Sequence, residues 1–131
     1  MTVKSKQPKP KKKDPPPLTI SEFQGVLLKV IDGDTMILNI DFSAAPILPV
    51  KCRLKGLNCP EMGLKRQPNL DGLRAKAETM QWFQDREDQT LTVQFDARDK
   101  YGRSLVIVID ETGERLNNHL LQNGFAEPYV R

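Results

Sequence analysis

The run Val50–Leu57 constrains the fold more than any other stretch. Val50, Cys52 and Leu54 fall on one face, and Lys51, Arg53 and Lys55 on the other. That period of two fits a half-buried strand and no helix. Pro60 stops the run, because proline has no N–H to donate to a ladder. Glu22–Val30 and Thr35–Ile40 are β-branched and apolar runs on either side of Asp32-Gly33-Asp34, which reads as a hairpin turn. Leu91, Val93 and Phe95 alternate as a fourth strand, and Leu105–Ile109, apolar on both faces, predicts a central fifth.

Two helical patterns interrupt these strands. Asp71 is a fair N-cap for a helix that would turn Leu73, Ala77, Met80 and Phe83 inward. After the turn at Thr112-Gly113 a short helix places Leu116, Leu120 and Leu121 inward and stops at Gly124 as C′. Asp41–Pro49, Met62–Leu70 (with Lys65, Arg66 and Pro68) and the polar turn Asp96–Arg103 read as loops. The resulting order β-β-β-α-β-β-α predicts an α+β, mainly β chain. It is the layout of a five-stranded OB-fold barrel with two packed helices, and other small α+β folds fit the same order.

Charge separates the chain into two parts. Met1–Leu18 holds six lysines and one aspartate, while the rest holds 14 Lys and Arg against 16 Asp and Glu. The Lys/Pro-rich segment 1–18 has almost nothing apolar to bury and is expected to be a disordered tail, suited at most to a non-specific phosphate tether. Residues 19–131 form the domain. No apolar run approaches 18 residues, which predicts a soluble chain without a membrane span. Met1–Leu18 has no apolar leader stretch, so the expected compartment is the cytoplasm, or a secreted or periplasmic one if a leader has been removed. Cys52 and Cys59, seven apart with no CxxC pair and a lone His119, argue against a zinc site. A disulfide between them is the minor alternative to Cys52 as a small core residue.

Three polar stretches carry candidate chemistry: Asp32-Gly33-Asp34-Thr35, Arg53 through Glu61, and Asp99-Lys100-Tyr101-Gly102-Arg103. Each has an ordinary reading of its own, as turn, surface arginine or loop carboxylate. Together they offer hard oxygen ligands, a proline-fixed glutamate and two guanidiniums, a set suited to metal-assisted attack of water on a phosphodiester.

The three stretches, in this order, resemble the staphylococcal nuclease family. The likeness continues through Asp71-Gly72-x-x-Ala75-x-Ala77 and Leu116-Asn117-x-x-Leu120-Leu121-x-x-Gly124-Phe125-Ala126. The resemblance implies an OB barrel and a Ca²⁺-dependent phosphodiesterase that cuts DNA and RNA and leaves 3′-phosphate ends. It implies Asp34, Asn58 and the Cys59 carbonyl as metal ligands, and Arg53, Glu61 and Arg103 as catalytic residues. It further implies Lys100, Tyr101 and Tyr129 as substrate-binding residues, and the expected state is a monomer. Asn58 stands where the family pattern has a second ligating aspartate, so Mn²⁺ or Mg²⁺ are alternatives to calcium. Cys59 replaces a small hydroxyl residue, and Asp41–Pro49 is longer than in the prototype. A domain kept for binding nucleic acid or protein is the rival expectation, and a structural contact domain using Ile47-Leu48 is a third.

Overall fold

A computed structural model of the chain describes residues 21–43, 46–98 and 103–129. The tail expected at 1–18, and Lys100 and Tyr101, lie outside the described residues. Strand β1 (Ser21–Asp32) turns through Gly33-Asp34 into β2 (Thr35–Asp41), which pairs with β3 (Leu48–Leu54). After α1 (Leu70–Gln84), β7 (Leu91–Arg98) and β8 (Ser104–Ile109) form an antiparallel pair. β8 then joins β3 in parallel, and the start of β1 joins β7. The five strands close as the barrel β1-β2-β3-β8-β7, which is the expected OB-like layout.

Every strand of a closed barrel has two neighbours, and β1, at 12 residues, meets its two largely with different halves. Its first half pairs with β7 and its second with β2, with register shifts at Leu27/Lys29 and Val30/Asp32 that bend it round the corner. β8 pairs on both sides, as its doubly apolar sequence predicts. Met36, Leu38, Ile40, Cys52, Leu54, Val93, Val106 and Val108 fill the interior, all at 0–1% exposure. Among the described residues, no helix is long and apolar enough to cross a membrane.

Three local expectations are corrected. The strand expected over Val50–Leu57 starts earlier, at Leu48, and breaks at Lys55-Gly56, where Gly56 has φ +87°. Leu57–Asn58 then forms a separate strand, β4, paired with β9 (Glu127–Pro128). The break lets Leu57 reach the core and lets Leu57 and Asn58 pair with β9 outside the barrel. The loop expected over Met62–Leu70 contains a small hairpin, β5 (Gly63–Leu64) and β6 (Gln67–Pro68).

Helix α1 differs most from expectation. Its N-cap is Asn69, whose side-chain oxygen accepts from the N–H groups of Asp71 at 3.0 Å and Gly72 at 3.4 Å. Asp71 lies in the first turn, where a carboxylate complements the helix dipole. The buried side is Gly72, Ala75, Thr79, Trp82 and Phe83, whereas Leu73, Ala77 and Met80 face outward. Short α2 (Leu116–Gln122) behaves as read, with Leu116 and Leu120 fully buried. Gly124, at φ +80°, ends it in a Schellman arrangement: Phe125 N–H donates to Leu120 O at 2.9 Å and Gly124 N–H to Leu121 O at 3.4 Å. Buried Asn117 fixes α2 to the barrel: its Oδ1 accepts from Val108 N–H, and its Nδ2 donates to the Val106 and Lys55 carbonyls.

Candidate active site

At the end of the barrel where β1 turns into β2 lies a cleft of about 760 Å³. Asp32, Asp34, Arg53, Asn58, Glu61 and Arg103 line it, together with the segment from Cys59 to Leu64. The topology explains the gathering of residues so far apart in sequence. Thr35 pairs with Arg53, and Arg53 with Leu105, so three strands bring the turn, the arginine and Arg103 to one rim.

Gly33 holds the turn against α1. Its φ is not positive, so left-handed freedom is not the reason for glycine here. The reason is close approach: a Cβ would stand 2.8 Å from Ala75 Cβ and 2.9 Å from Cys59 Sγ. Thr79 Oγ1 donates to Gly33 O at 2.6 Å, pinning the turn from the helix side. Two turns before Thr79 on the same helix face, a Cβ on Gly72 would stand 2.1 Å from Glu61 O. The Gly72-x-x-Ala75-x-x-x-Thr79 stripe is therefore the helix surface on which both the aspartate turn and the glutamate loop rest.

Asp34 is buried, and both its oxygens are engaged. Oδ2 accepts from Cys59 N–H at 2.8 Å and meets Arg53 Nη1 at 3.4 Å, while Oδ1 accepts from the Thr35 hydroxyl at 3.1 Å. Arg53 is only 8% exposed, so the ordinary reading of an outward, solvated arginine does not hold. Its Nη2 donates to Leu57 O at 3.2 Å and to Asn58 Oδ1. Its Nε is buried with no acceptor among the described residues. A buried donor left unpaired costs about 1–3 kcal/mol, which an anionic oxygen in the cleft would recover.

Asp32 is the residue that the sequence reading passed over. It belongs to the same Asp-Gly-Asp stretch, yet only Asp34 was singled out. Burial, reinforced by the Asp34 carboxylate, pushes Asp32 above its ordinary value, against the pull of Lys76, Arg103 and Arg53. Two carboxylates two residues apart, across a glycine, were the available signal. Burial, followed by the neighbouring Asp34 charge, pushes the Cys59 thiol up to about 12, so its sulfur is a neutral packing group. Cys52 and Cys59 are both free.

The side chains lining the cleft offer oxygen ligands: the carboxylates of Asp32, Asp34 and Glu61, and the amide oxygen of Asn58, which accepts from Arg53. This chemistry fits a hard cation such as Ca²⁺ or Mg²⁺. Among the described residues no three His, Cys, Asp or Glu side chains group as a metal cage, so such a cation would rely on neutral oxygens and water for part of its shell.

Glu61 is exposed on the cleft wall, and Arg103 is half-buried opposite Asp32. Tyr129 is not among the lining residues: it follows β9, where its N–H donates to Gly56 O at 3.0 Å.

Residues 51–131 match the family model described as staphylococcal nuclease homologue. Over 121 residues, 87% of this chain, the sequence is 31% identical to the endonuclease YhcR of Bacillus subtilis (strain 168). The chain spans about a tenth of the length of that curated relative.

Proposed function

The chain belongs to the staphylococcal nuclease family, and from that premise we propose that it is a metal-dependent phosphodiesterase acting on DNA and RNA. In this reading it has little sequence preference and leaves 3′-phosphate ends. One observation supports it above the others: a single cleft gathers two carboxylates, an exposed glutamate and two arginines, one of them buried with a donor to spare. A groove that only binds has no need of a base facing two guanidiniums.

The reacting phosphate lies between Arg53 and Arg103, whose planar forks match phosphate oxygens and offset the charge that builds on them. Glu61 takes a proton from the attacking water. The bond from water oxygen to phosphorus forms as the bond to the 5′ oxygen breaks, and a solvent proton goes to the leaving oxygen. Asp34, Asn58 Oδ1 and the Cys59 carbonyl would hold Ca²⁺, or Mn²⁺ or Mg²⁺ in its place, with Asp32 beside them. Bound there, the cation would supply charge neutralisation at the phosphate. Lys100, Tyr101 and Tyr129 are assigned to the nucleotide on either side.

The deciding experiment is incubation of the purified protein with plasmid and single-stranded DNA, in calcium or in excess chelator. Cleavage should need the cation, and Glu61→Gln should lower the rate by about 10²–10⁴. Undiminished cutting by Glu61→Gln, or in chelator, refutes the mechanism. The rival reading, a weakened domain retained for binding, draws on the engagement of the Asn58 amide oxygen by Arg53. It predicts strand binding without cleavage in any of the three metals.

A further inference from the structure

The β5–β6 hairpin carries two cations for which neither the fold nor the cleft has a use. Lys65 and Arg66 form its exposed tip. Among the described residues neither makes an ion pair, which is equally true of Lys29, Lys51, Lys76 and Arg115. What sets Lys65 and Arg66 apart is that they are adjacent and stand next to the cleft-lining Leu64. Adjacent cations without acid partners repel each other and attract an outside anion.

The tip stands on a fixed base. Asn69, the cap of α1, donates its N–H to Met62 O at 2.8 Å and so closes the hairpin onto the helix. Gly63, at φ +79°, has Asn69 N and Gln67 O each 2.7 Å from where a Cβ would stand. Glu61 enters this clamp one residue before Met62. Four residue steps from Glu61 to Lys65 span at most about 14 Å. Phosphates on one strand of a duplex recur every ~3.4 Å of axis, so the tip stands within about four nucleotides of the reacting phosphate. Between Glu61 and the tip, Leu64 lines the cleft and is 73% exposed. An isolated exposed leucine is ordinary, but this one lies on the path of the strand, where an unpaired base has an apolar face to offer and a duplex keeps its bases stacked inside.

We infer that the hairpin is a subsite for the strand flanking the scissile bond: Lys65 and Arg66 hold its phosphates, and Leu64 packs against an unpaired base. The subsite rests on the nuclease reading for the course of the strand through the cleft. Single strands should therefore be held more tightly than duplex of equal length.

Binding tests this without relying on cleavage. In Glu61→Gln protein, the affinity for a 12-nucleotide oligothymidylate is followed by fluorescence anisotropy through a salt series. Each lost single-strand phosphate contact removes about 0.7 from the slope of log K against log salt. Lys65→Ala with Arg66→Ala should flatten it by about 1.4, which weakens binding about 25-fold at 0.1 M salt relative to 1 M. Leu64→Ser should lower affinity at every salt concentration, leave the slope in place and narrow the preference over a duplex. Arg115→Ala removes an exposed cation beside Ile109, at the end of β8 away from Arg103, and should change neither quantity. An unchanged slope in the double variant, or an equal loss in Arg115→Ala, overturns the phosphate subsite. An unchanged strand preference in Leu64→Ser overturns the base contact. If the unsubstituted protein cuts nothing in any metal, the nuclease reading fails, while these binding measurements still decide the hairpin.

Discussion

Replacing Gly72 with alanine should lower turnover and stability together, although alanine is the better helix former. Intrinsic propensity favours alanine over glycine inside a helix by about 1 kcal/mol. The packing opposes it. A Cβ at position 72 would stand 2.1 Å from Glu61 O, 2.5 Å from Glu61 C and 2.8 Å from Met62 Cα, and all three are backbone atoms that no rotamer change can move. Reaching an ordinary contact of 3.4 Å requires helix and loop to part by about 1.3 Å. Overpacking of this kind costs about 1–3 kcal/mol, and a gap of this size against backbone falls at the upper end, so after the propensity gain the net change should be a loss of up to about 2 kcal/mol. The parting acts on the loop that carries Glu61, and misplacement by about 1 Å can cost on the order of 10² in rate. Trp82, the only tryptophan and nearly fully buried, reports urea unfolding by its fluorescence. kcat and KM on a polynucleotide report the site. A higher urea midpoint with unchanged kcat would refute the contact and the role given to it.

The same packing predicts that Gly33→Ala is partly rescued by Ala75→Gly, because the Ala75 methyl is the nearest obstacle to the new Cβ; urea midpoints of both singles and the double measure the coupling. Arg103→Lys should lower kcat more than it raises KM, since lysine cannot present a planar fork to the transition state, and steady-state kinetics separate the two. Asn58→Asp keeps an acceptor for Arg53 and adds a ligand charge, so it should lower the calcium concentration for half-maximal activity by about tenfold; a midpoint that stays in place removes Asn58 from the ligand set. Asp110 is a pH-dependent contributor to stability. Burial works to raise its pKa, but the Arg86 guanidinium, the Thr112 hydroxyl and the Glu114 and Thr112 N–H groups outweigh it and hold the carboxyl at about 2. A lowered folded-state value stabilises above the ordinary 3.8 and loses that effect as pH falls through 2. Asp110→Asn should therefore cost roughly 1–2 kcal/mol at neutral pH and flatten the urea midpoint between pH 4 and pH 2.

What could be read in the chain alone is what local periodicity encodes. Alternation at Val50, Cys52 and Leu54 gives strand faces, because successive side chains point to opposite sides. Gly124 marks a helix end, because its left-handed conformation excludes other residues. The motifs around Arg53, Glu61 and Arg103 lie within the segment that matches the family, and the structure brings these side chains to one cleft with Asp34. Periodicity misjudged α1 because it weighs apolarity, whereas that helix is positioned by smallness. Leu73, Ala77 and Met80 make the more apolar stripe, yet Gly72, Ala75 and Thr79 face inward, because only they let the helix approach the aspartate turn and the glutamate loop. That requirement lies in segments 10 or more residues away in the chain and has no local signature. For the same reason the burial of Arg53, the raised pKa of Asp32 and the clamping of the basic hairpin beside Glu61 come from tertiary structure alone. Each depends on which strands meet at one rim of the barrel, and strand pairing is set by contacts that close only when the whole sheet does.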